Sequence, residues 1–145
     1  GVPGAAVQFD KFTTYLKTEA YKDLKLFRPE VIIVKLGTNY SRPDEWVNED
    51  FFYADYLRLV RRMKSISDQV YLCYPILPYG FKWQQRDDIL RNKVMKLIKR
   101  VSEEEQLPVI NLYREEMRDS VNYYPDGIHP TSNGYDIIAK IIYDN

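Results

Sequence analysis

The side chains best placed to do chemistry together in this sequence are the carboxyl of Asp126 and the imidazole of His129, the single histidine of the chain. They lie three residues apart in the segment 124–130 (YPDGIHP), whose proline and glycine are typical of a turn. In a turn, the carboxylate can accept a hydrogen bond from one imidazole nitrogen and leave the other nitrogen available as a base. The alternative is a surface histidine beside an Asx turn, with no chemical role.

A second polar group follows an apolar run in the first third of the chain, in the segment 37–41 (GTNYS). Gly37 allows a sharp turn, and the side-chain amide of Asn39 can then donate to an oxygen that becomes negative during a reaction, as in an oxyanion hole. Taken alone, this segment is better explained as an ordinary loop. Together with Asp126 and His129, it supplies two of the three roles that an acyl-transfer site needs.

The elements that must position these groups are short apolar strands alternating with amphipathic helices. This alternation predicts right-handed crossovers and a parallel sheet in a three-layer α/β/α sandwich, formed by one domain over residues 1–145. Ligands of such sheets bind beyond the carboxyl ends of the strands, where both polar segments are expected. The predicted strands are 31–36, 70–74 and 108–112, each read as buried on both faces, and the predicted helices are 18–27, 49–66, 87–106 and 132–143.

The composition excludes several classes of function. The 145 residues carry 21 Lys and Arg against 21 Asp and Glu, so we expect no basic field that would hold a nucleic acid. No apolar run approaches the roughly 18 residues of a membrane span. One cysteine and one histidine provide neither an intrachain disulfide nor an ordinary zinc ligand set, and we predict no metal and no cofactor. The sequence does not determine the cellular compartment.

The two motifs resemble those of the SGNH (GDSL-type) esterase and lipase family. Residues 37–39 are similar to its Gly-x-Asn-Asp block, with Gly37 supporting the loop, and residues 126–130 are similar to its Asp-x-x-His-Pro block. Residues 1–5 (GVPGA) resemble the block whose glycine N–H joins the oxyanion hole, a role that would fall on Gly4. The resemblance implies a flavodoxin-like SGNH hydrolase fold. It also implies ester hydrolysis, with His129 as general base and acid, Asp126 as its orienting carboxylate, and Asn39 and Gly4 as oxyanion donors.

The chain departs from this family pattern in two places. The family's Gly-Asp-Ser block, which carries the nucleophile after the first strand, does not occur in the sequence, and Ser41 follows the predicted oxyanion residue instead of opening a helix. We therefore expect an N-terminally truncated domain that is inactive alone. Its strand 31–36 would be an unpaired edge, open to self-association. The second departure is Tyr40, where the family usually has an aspartate that orders the loop.

Aromatic residues near the predicted site bear on the substrate. Trp46, Tyr79 and Trp83 could form a platform for a sugar or an acyl group, or they could simply cover the core. Because the resemblance extends to carbohydrate acetylesterases, it implies a small-molecule or glycan ester, such as a sugar O-acetyl ester. Two other interpretations stay open: a catalytically inactive binding module on the same fold, and a flavodoxin-like domain with unrelated loops.

Overall fold

The structure is a computed structural model that describes residues 5, 7, 14–41, 48–80 and 84–145. Its described strands form one parallel sheet in the order β1-β2-β3, with Ile32 opposite Val70 and Cys73 opposite Ile110. This confirms the predicted α/β class. The strands are β1 (Val31–Val34), β2 (Gln69–Tyr74) and β3 (Val109–Asn111), and the α-helices are α1 (Glu19–Phe27), α2 (Glu49–Lys64), α3 (Gln84–Ile89), α4 (Met95–Glu105) and α5 (Ser132–Tyr143).

Local sequence explains where several helices begin. The side chain of Thr18 accepts a hydrogen bond from the backbone N–H of Tyr21 at the start of α1, and Asn48 accepts one from Asp50 at the start of α2. Thr131 is the corresponding residue of α5, which covers the predicted span 132–143. These side chains satisfy backbone donors that the first turn of a helix leaves without a partner.

The two faces of the sheet bury two separate hydrophobic cores. Along β2, Val70 and Leu72 pack into the core formed with α2 and α4, whereas Cys73 packs into the core formed with α5. Successive side chains of a strand point to opposite faces, so α2 and α4 cover one face and α5 covers the other. The result is the three-layer arrangement expected from the sequence.

Strand β1 differs from the prediction in length and burial. It ends at Val34 instead of residue 36, and only Ile32 and Val34 are buried, while Val31 and Ile33 are 45% and 41% exposed. The prediction of a strand buried on both faces is therefore wrong for β1. The physical reason is the placement of α5, whose core is built on β2 and β3 and leaves this face of β1 uncovered.

The predicted helix 87–106 is longer and less regular than expected. It begins as α3 at residue 84, continues through a π-helical segment, Leu90–Val94, and ends as α4 at Glu105. Leu90 and Val94 are both fully buried. The wider π-turn sits where this helix passes the segment after β1, and such turns are frequent at functional sites.

Across residues 14–41, 48–80 and 84–145, every helix is too short or too polar to cross a membrane.

Two buried tyrosines provide a test of the packing. Burial raises the pKa of the hydroxyls of Tyr56 and Tyr123. The Tyr123 hydroxyl donates to the carbonyl of Leu77, whereas the Tyr56 hydroxyl has no hydrogen-bond partner among the described residues. We expect Tyr56→Phe to keep or raise the free energy of unfolding, by up to about 1 kcal/mol, and Tyr123→Phe to lower it by roughly 1–2 kcal/mol. Urea denaturation of the two variants measures both values, and the reverse order would contradict this description of the cores.

Candidate active site

The loop that carries Asp126 and His129 is a short hairpin built by its own sequence. The backbone N–H of Tyr124 donates to the carbonyl of His129 at 2.9 Å, and the N–H of Gly127 donates to the carbonyl of Tyr124 at 2.9 Å. Pro125 occupies the second position of this turn, where its fixed φ is favourable, and Gly127 has a φ of +74° that few other residues adopt. The hairpin brings residue 126 back to face residue 129.

The carboxylate of Asp126 is held by three donors. Its Oδ1 accepts from the backbone N–H of His129 at 2.9 Å and from that of Ile128 at 2.8 Å, and its Oδ2 lies 2.8 Å from His129 Nδ1. These bonds, the two backbone donors first, lower the pKa of Asp126 from its ordinary 3.8 to about 2. The carboxylate is therefore ionised at neutral pH.

The ionised carboxylate determines where the imidazole carries its proton. A carboxylate only accepts hydrogen bonds, so Nδ1 of a neutral His129 must be the donor. The lone pair then lies on Nε2, the nitrogen that a general base uses. The side chain of His129 is 72% exposed, so a substrate can approach it from solvent.

Contacts with the rest of the fold fix this hairpin. The backbone N–H of Tyr79, in the segment after β2, donates to the carbonyl of Gly127 at 2.8 Å. On the other side, a Cβ on Gly134 would overlap the backbone carbonyl of Asn122, so α5 packs directly against the 3₁₀ turn Ser120–Asn122 that precedes the hairpin. The loop is thus tied both to the carboxyl end of the sheet and to α5.

The predicted oxyanion residue lies in a turn directly after β1. Residues Thr38–Ser41 form a 3₁₀ turn, and the side-chain Nδ2 of Asn39 donates to the carbonyl of Ala5 at 3.3 Å. Gly37 precedes the turn with a φ of +131°, and a Cβ there would lie 3.0 Å from Val94 Cγ1, inside ordinary contact distance. The backbone conformation therefore favours glycine at this position, and a side chain there would also press on Val94.

Tyr40 has a structural role in this turn. It is 1% exposed, and its ring packs edge-on against Phe52 with 4.8 Å between the ring centroids. The Tyr40 ring therefore anchors this turn in the apolar core.

Sequence reasoning missed Arg86, which contacts the same turn. Arg86 is 8% exposed, its Nε donates to Ser41 Oγ at 2.9 Å, and its Nη2 donates to the carbonyl of Thr38 at 3.1 Å. The sequence holds no motif that singles out this arginine among the charged residues of its helix. Ser41 is buried, and its hydroxyl also donates to the Thr38 carbonyl at 2.6 Å, so it is not exposed as a nucleophile would be.

An open cleft of about 510 Å³ adjoins the hairpin. The rings of Tyr79 and Tyr123 stack in its wall with 5.9 Å between their centroids, and Tyr79 is 38% exposed. The other residues that line the cleft are Gly80, Ser120, Tyr124, Pro125 and Gly127. Of the predicted platform, Tyr79 lies in this cleft, and Trp46 and Trp83 fall outside the described residues, as does Gly4.

The topology places the two polar segments at one edge of the sheet. Asn39 follows the carboxyl end of β1, and the hairpin is bonded to the segment that leaves the carboxyl end of the adjacent, parallel β2. Among the described residues, no group of three histidine, cysteine, aspartate or glutamate side chains is arranged to hold a metal ion. The arrangement provides an oriented base and an amide donor.

Comparison with known sequences identifies relatives along most of the chain. The profile of the GDSL-like lipase/acylhydrolase family matches residues 1–137. An acetylxylan esterase of Xylanibacter ruminicola is 25% identical over 147 aligned positions, which cover 88% of this chain and 31% of that protein. The chain thus spans about a third of the length of this relative.

Comparison with solved structures supports the same fold. A lipase/acylhydrolase from Enterococcus faecalis has a TM-score of 0.68 at 20% identity, covering 86% of this chain and 66% of the other. A catalytic mutant of an acetylxylan esterase from Geobacillus stearothermophilus has a TM-score of 0.71 at 17% identity, covering 89% and 64%. At these identities the likeness shows the fold, and the chain spans about two thirds of each structure.

The lowered pKa of Asp126 predicts how acid affects stability. A carboxyl whose pKa is lower when folded stabilises the protein above its unfolded pKa, near 3.8, and this contribution disappears as the pH falls towards about 2. The free energy of unfolding of the wild type should therefore fall more steeply between pH 4 and pH 2 than that of Asp126→Asn. Urea denaturation at several pH values measures the difference.

The variant His129→Gln is the matched control for this experiment. It retains the two backbone donors that contribute most to lowering the pKa of Asp126. We expect it to keep most of the acid sensitivity. Parallel curves for the wild type and Asp126→Asn down to pH 2 would show that the carboxylate is not held as described.

Proposed function

We propose that this chain, which belongs to the GDSL-like lipase/acylhydrolase family, supplies the general base, its orienting carboxylate and the oxyanion donors of an ester hydrolase. The observation that carries the proposal is the 2.8 Å contact between His129 Nδ1 and Asp126 Oδ2 in the family's Asp-x-x-His-Pro motif. This contact leaves Nε2 as the basic nitrogen, which is the state that ester hydrolysis by a serine requires.

In the proposed reaction, His129 moves the proton and Asp126 keeps the imidazole oriented. Nε2 takes the proton of the serine hydroxyl as its oxygen attacks the ester carbonyl, and Asp126 stabilises the imidazolium that forms. The imidazolium then protonates the departing alcohol. Water repeats the same sequence to release the acid and restore the serine.

Two donors would stabilise the tetrahedral oxyanion in this scheme. Asn39 has two amide hydrogens, one of which is used in the 3.3 Å bond to Ala5, so the group retains a second donor for the oxyanion. The same bond links Asn39 to Ala5. We propose the backbone N–H of Gly4, the preceding residue in the sequence, as the other donor. We also propose that Asn39 and His129 face one cleft.

We propose that the nucleophilic serine comes from outside residues 1–145. The sequence contains no Gly-Asp-Ser, and the serine next to the oxyanion turn, Ser41, is buried and bonded to the Thr38 carbonyl. We therefore propose that the chain alone does not turn over esters, and that a protein containing both this chain and a preceding Gly-Asp-Ser segment does.

For the substrate we propose an O-acetyl ester on a sugar. The support is the acetylxylan esterase relative, which is 25% identical, and the tyrosine cleft beside the hairpin. An exposed aromatic ring that stacks on a second ring offers a flat apolar surface, and Ser120 and the backbone add polar groups at its margin. A sugar ring presents both kinds of surface.

Activity measurements test the proposed roles. We call a protein that contains a Gly-Asp-Ser segment followed by this chain the serine-bearing product. We expect this protein to hydrolyse p-nitrophenyl acetate. His129→Ala should reduce this hydrolysis to near background, and Asn39→Ala should reduce kcat by about 10²–10³. We expect the 145-residue chain to show no turnover above that of its own His129→Ala variant.

Two outcomes would contradict these assignments. Turnover by the 145-residue chain that depends on His129 would show that a nucleophile lies within it. A serine-bearing product that folds but hydrolyses neither p-nitrophenyl acetate nor an acetylated xylooligosaccharide would favour a binding module.

The tyrosine cleft is tested by Tyr79→Ala in the serine-bearing product. The substitution removes the ring but retains the backbone N–H that anchors Gly127, so the hairpin should persist. We expect KM for an acetylated xylooligosaccharide to rise about 3–10-fold, with p-nitrophenyl acetate kinetics nearly unchanged. Tyr143→Ala, at a ring that is 90% exposed near the C-terminus, is the control. An equal change in KM for both substrates in Tyr79→Ala would show that the sugar does not bind in the tyrosine cleft.

A further inference from the structure

We propose that Arg86 is a positioning residue that holds the oxyanion donor Asn39 in place, an inference that rests on the proposed ester hydrolysis. Arg86 lies on α3, 47 positions after Asn39 in sequence, and contacts the residues on either side of it. It does not itself touch the reacting atoms in this proposal.

The contacts form a closed set around the turn. The guanidinium donates to Ser41 Oγ through Nε and to the Thr38 carbonyl through Nη2, at 2.9 and 3.1 Å. Ser41 Oγ in turn donates to the same Thr38 carbonyl at 2.6 Å. Two bonds therefore join the Arg86 side chain to both ends of the turn, and a third joins the two ends to each other.

These bonds fix Asn39 through the geometry of the peptide. The Thr38 carbonyl and the N–H of Asn39 belong to one planar peptide unit. Holding the carbonyl with two donors therefore determines the orientation of that plane and the position of the Asn39 Cα. The oxyanion donor is then placed before the substrate arrives, which is the condition under which such a donor is effective.

The chemistry of arginine suits this role. Its planar fork presents several N–H donors in fixed directions, so one side chain can hold two acceptors at once. A lysine ammonium would reach the site as a single point and would not impose the same direction. Because Arg86 is 8% exposed, its bonds face little competition from water.

The residue at position 40 explains why the turn needs this support. In the family pattern, an aspartate after the oxyanion asparagine orders the loop, whereas here Tyr40 turns into the core against Phe52. The apolar ring anchors the turn from below but supplies no carboxylate to its backbone. Arg86 provides polar contacts to that backbone from α3.

The same helix also holds the start of the turn. Val94, in the π-helical segment that continues α3, lies where a Cβ on Gly37 would come within 3.0 Å of it. Gly37 therefore packs against Val94, and Ser41 is hydrogen-bonded to Arg86. Val94 and Arg86 belong to the same continuous helical element. Asn39 lies between these two fixed points.

The first test observes Asn39 directly in the 145-residue chain and does not depend on activity. The side-chain NH₂ signals of Asn39, assigned with Asn39→Asp, are recorded by NMR for the wild type, Arg86→Gln and Arg86→Lys. We expect both signals to shift and broaden in Arg86→Gln and to return only partly in Arg86→Lys. Arg91→Gln, an exposed arginine bonded to Asp88 on the same helical element, should leave them unchanged.

The second test measures kinetics in the serine-bearing product. We expect Arg86→Gln to lower kcat for p-nitrophenyl acetate about 10–100-fold while KM changes less than about threefold, because the donor matters most in the transition state. Arg91→Gln should retain wild-type kcat. If Arg86→Gln does not fold, Ser41→Ala removes one acceptor of the guanidinium and should give a smaller change in the same direction.

The outcomes separate this proposal from the proposed function. Unchanged Asn39 signals in a folded Arg86→Gln or Ser41→Ala chain would overturn the positioning role, as would an unchanged kcat. An inactive wild-type serine-bearing product would overturn the hydrolase assignment instead, and the NMR comparison would still decide whether Arg86 fixes Asn39.

Discussion

The ionised carboxylate of Asp126 is the group on which the arrangement of the hairpin depends. Two backbone N–H groups and the imidazole Nδ1 converge on it at 2.8–2.9 Å, and these bonds keep its pKa near 2. The Asp126 carboxylate accepts hydrogen bonds both from the backbone of the loop and from the imidazole. It therefore determines both the conformation of the loop and which nitrogen of His129 carries the proton. A change that moves the backbone of residues 126–129 therefore also changes the base.

The two polar loops are supported in a similar way. Each lies at the carboxyl end of the sheet, carries its polar side chain on a short turn, and packs against a helix. Arg86 and Val94 contact the segment Gly37–Ser41, and the hairpin is supported by the close contact between Gly134 and the Asn122 carbonyl. Loops on a rigid scaffold can vary in sequence while their side chains remain precise in position.

Local features of the site could be predicted from the sequence, and long-range ones could not. The three-residue spacing of Asp126 and His129 is enough to predict their contact, because a turn closes over that distance. Helix α5 was predictable for the same reason, since its cap and its apolar stripe lie within its own residues. The contact of Arg86 with Thr38 spans 48 positions, and no local pattern distinguishes it from a solvated arginine. The exposure of one face of β1 likewise depends on where α5 packs. The sequence of β1 alone carries no information about that position.

The exposure of His129 has a consequence for the proposed reaction. An imidazole that is 72% exposed interacts with charges across water, where electrostatic stabilisation is weak. A sugar ring in the tyrosine cleft would lie against Tyr124, Pro125 and Gly127, which belong to the same hairpin as the base. Its binding would remove water from around Asp126 and His129. The hydrogen bond between these two residues and the proposed hydrogen bond from Asn39 to the oxyanion would then both be stronger. In this scheme, the part of the substrate that does not react contributes to catalysis by enclosing the part that does.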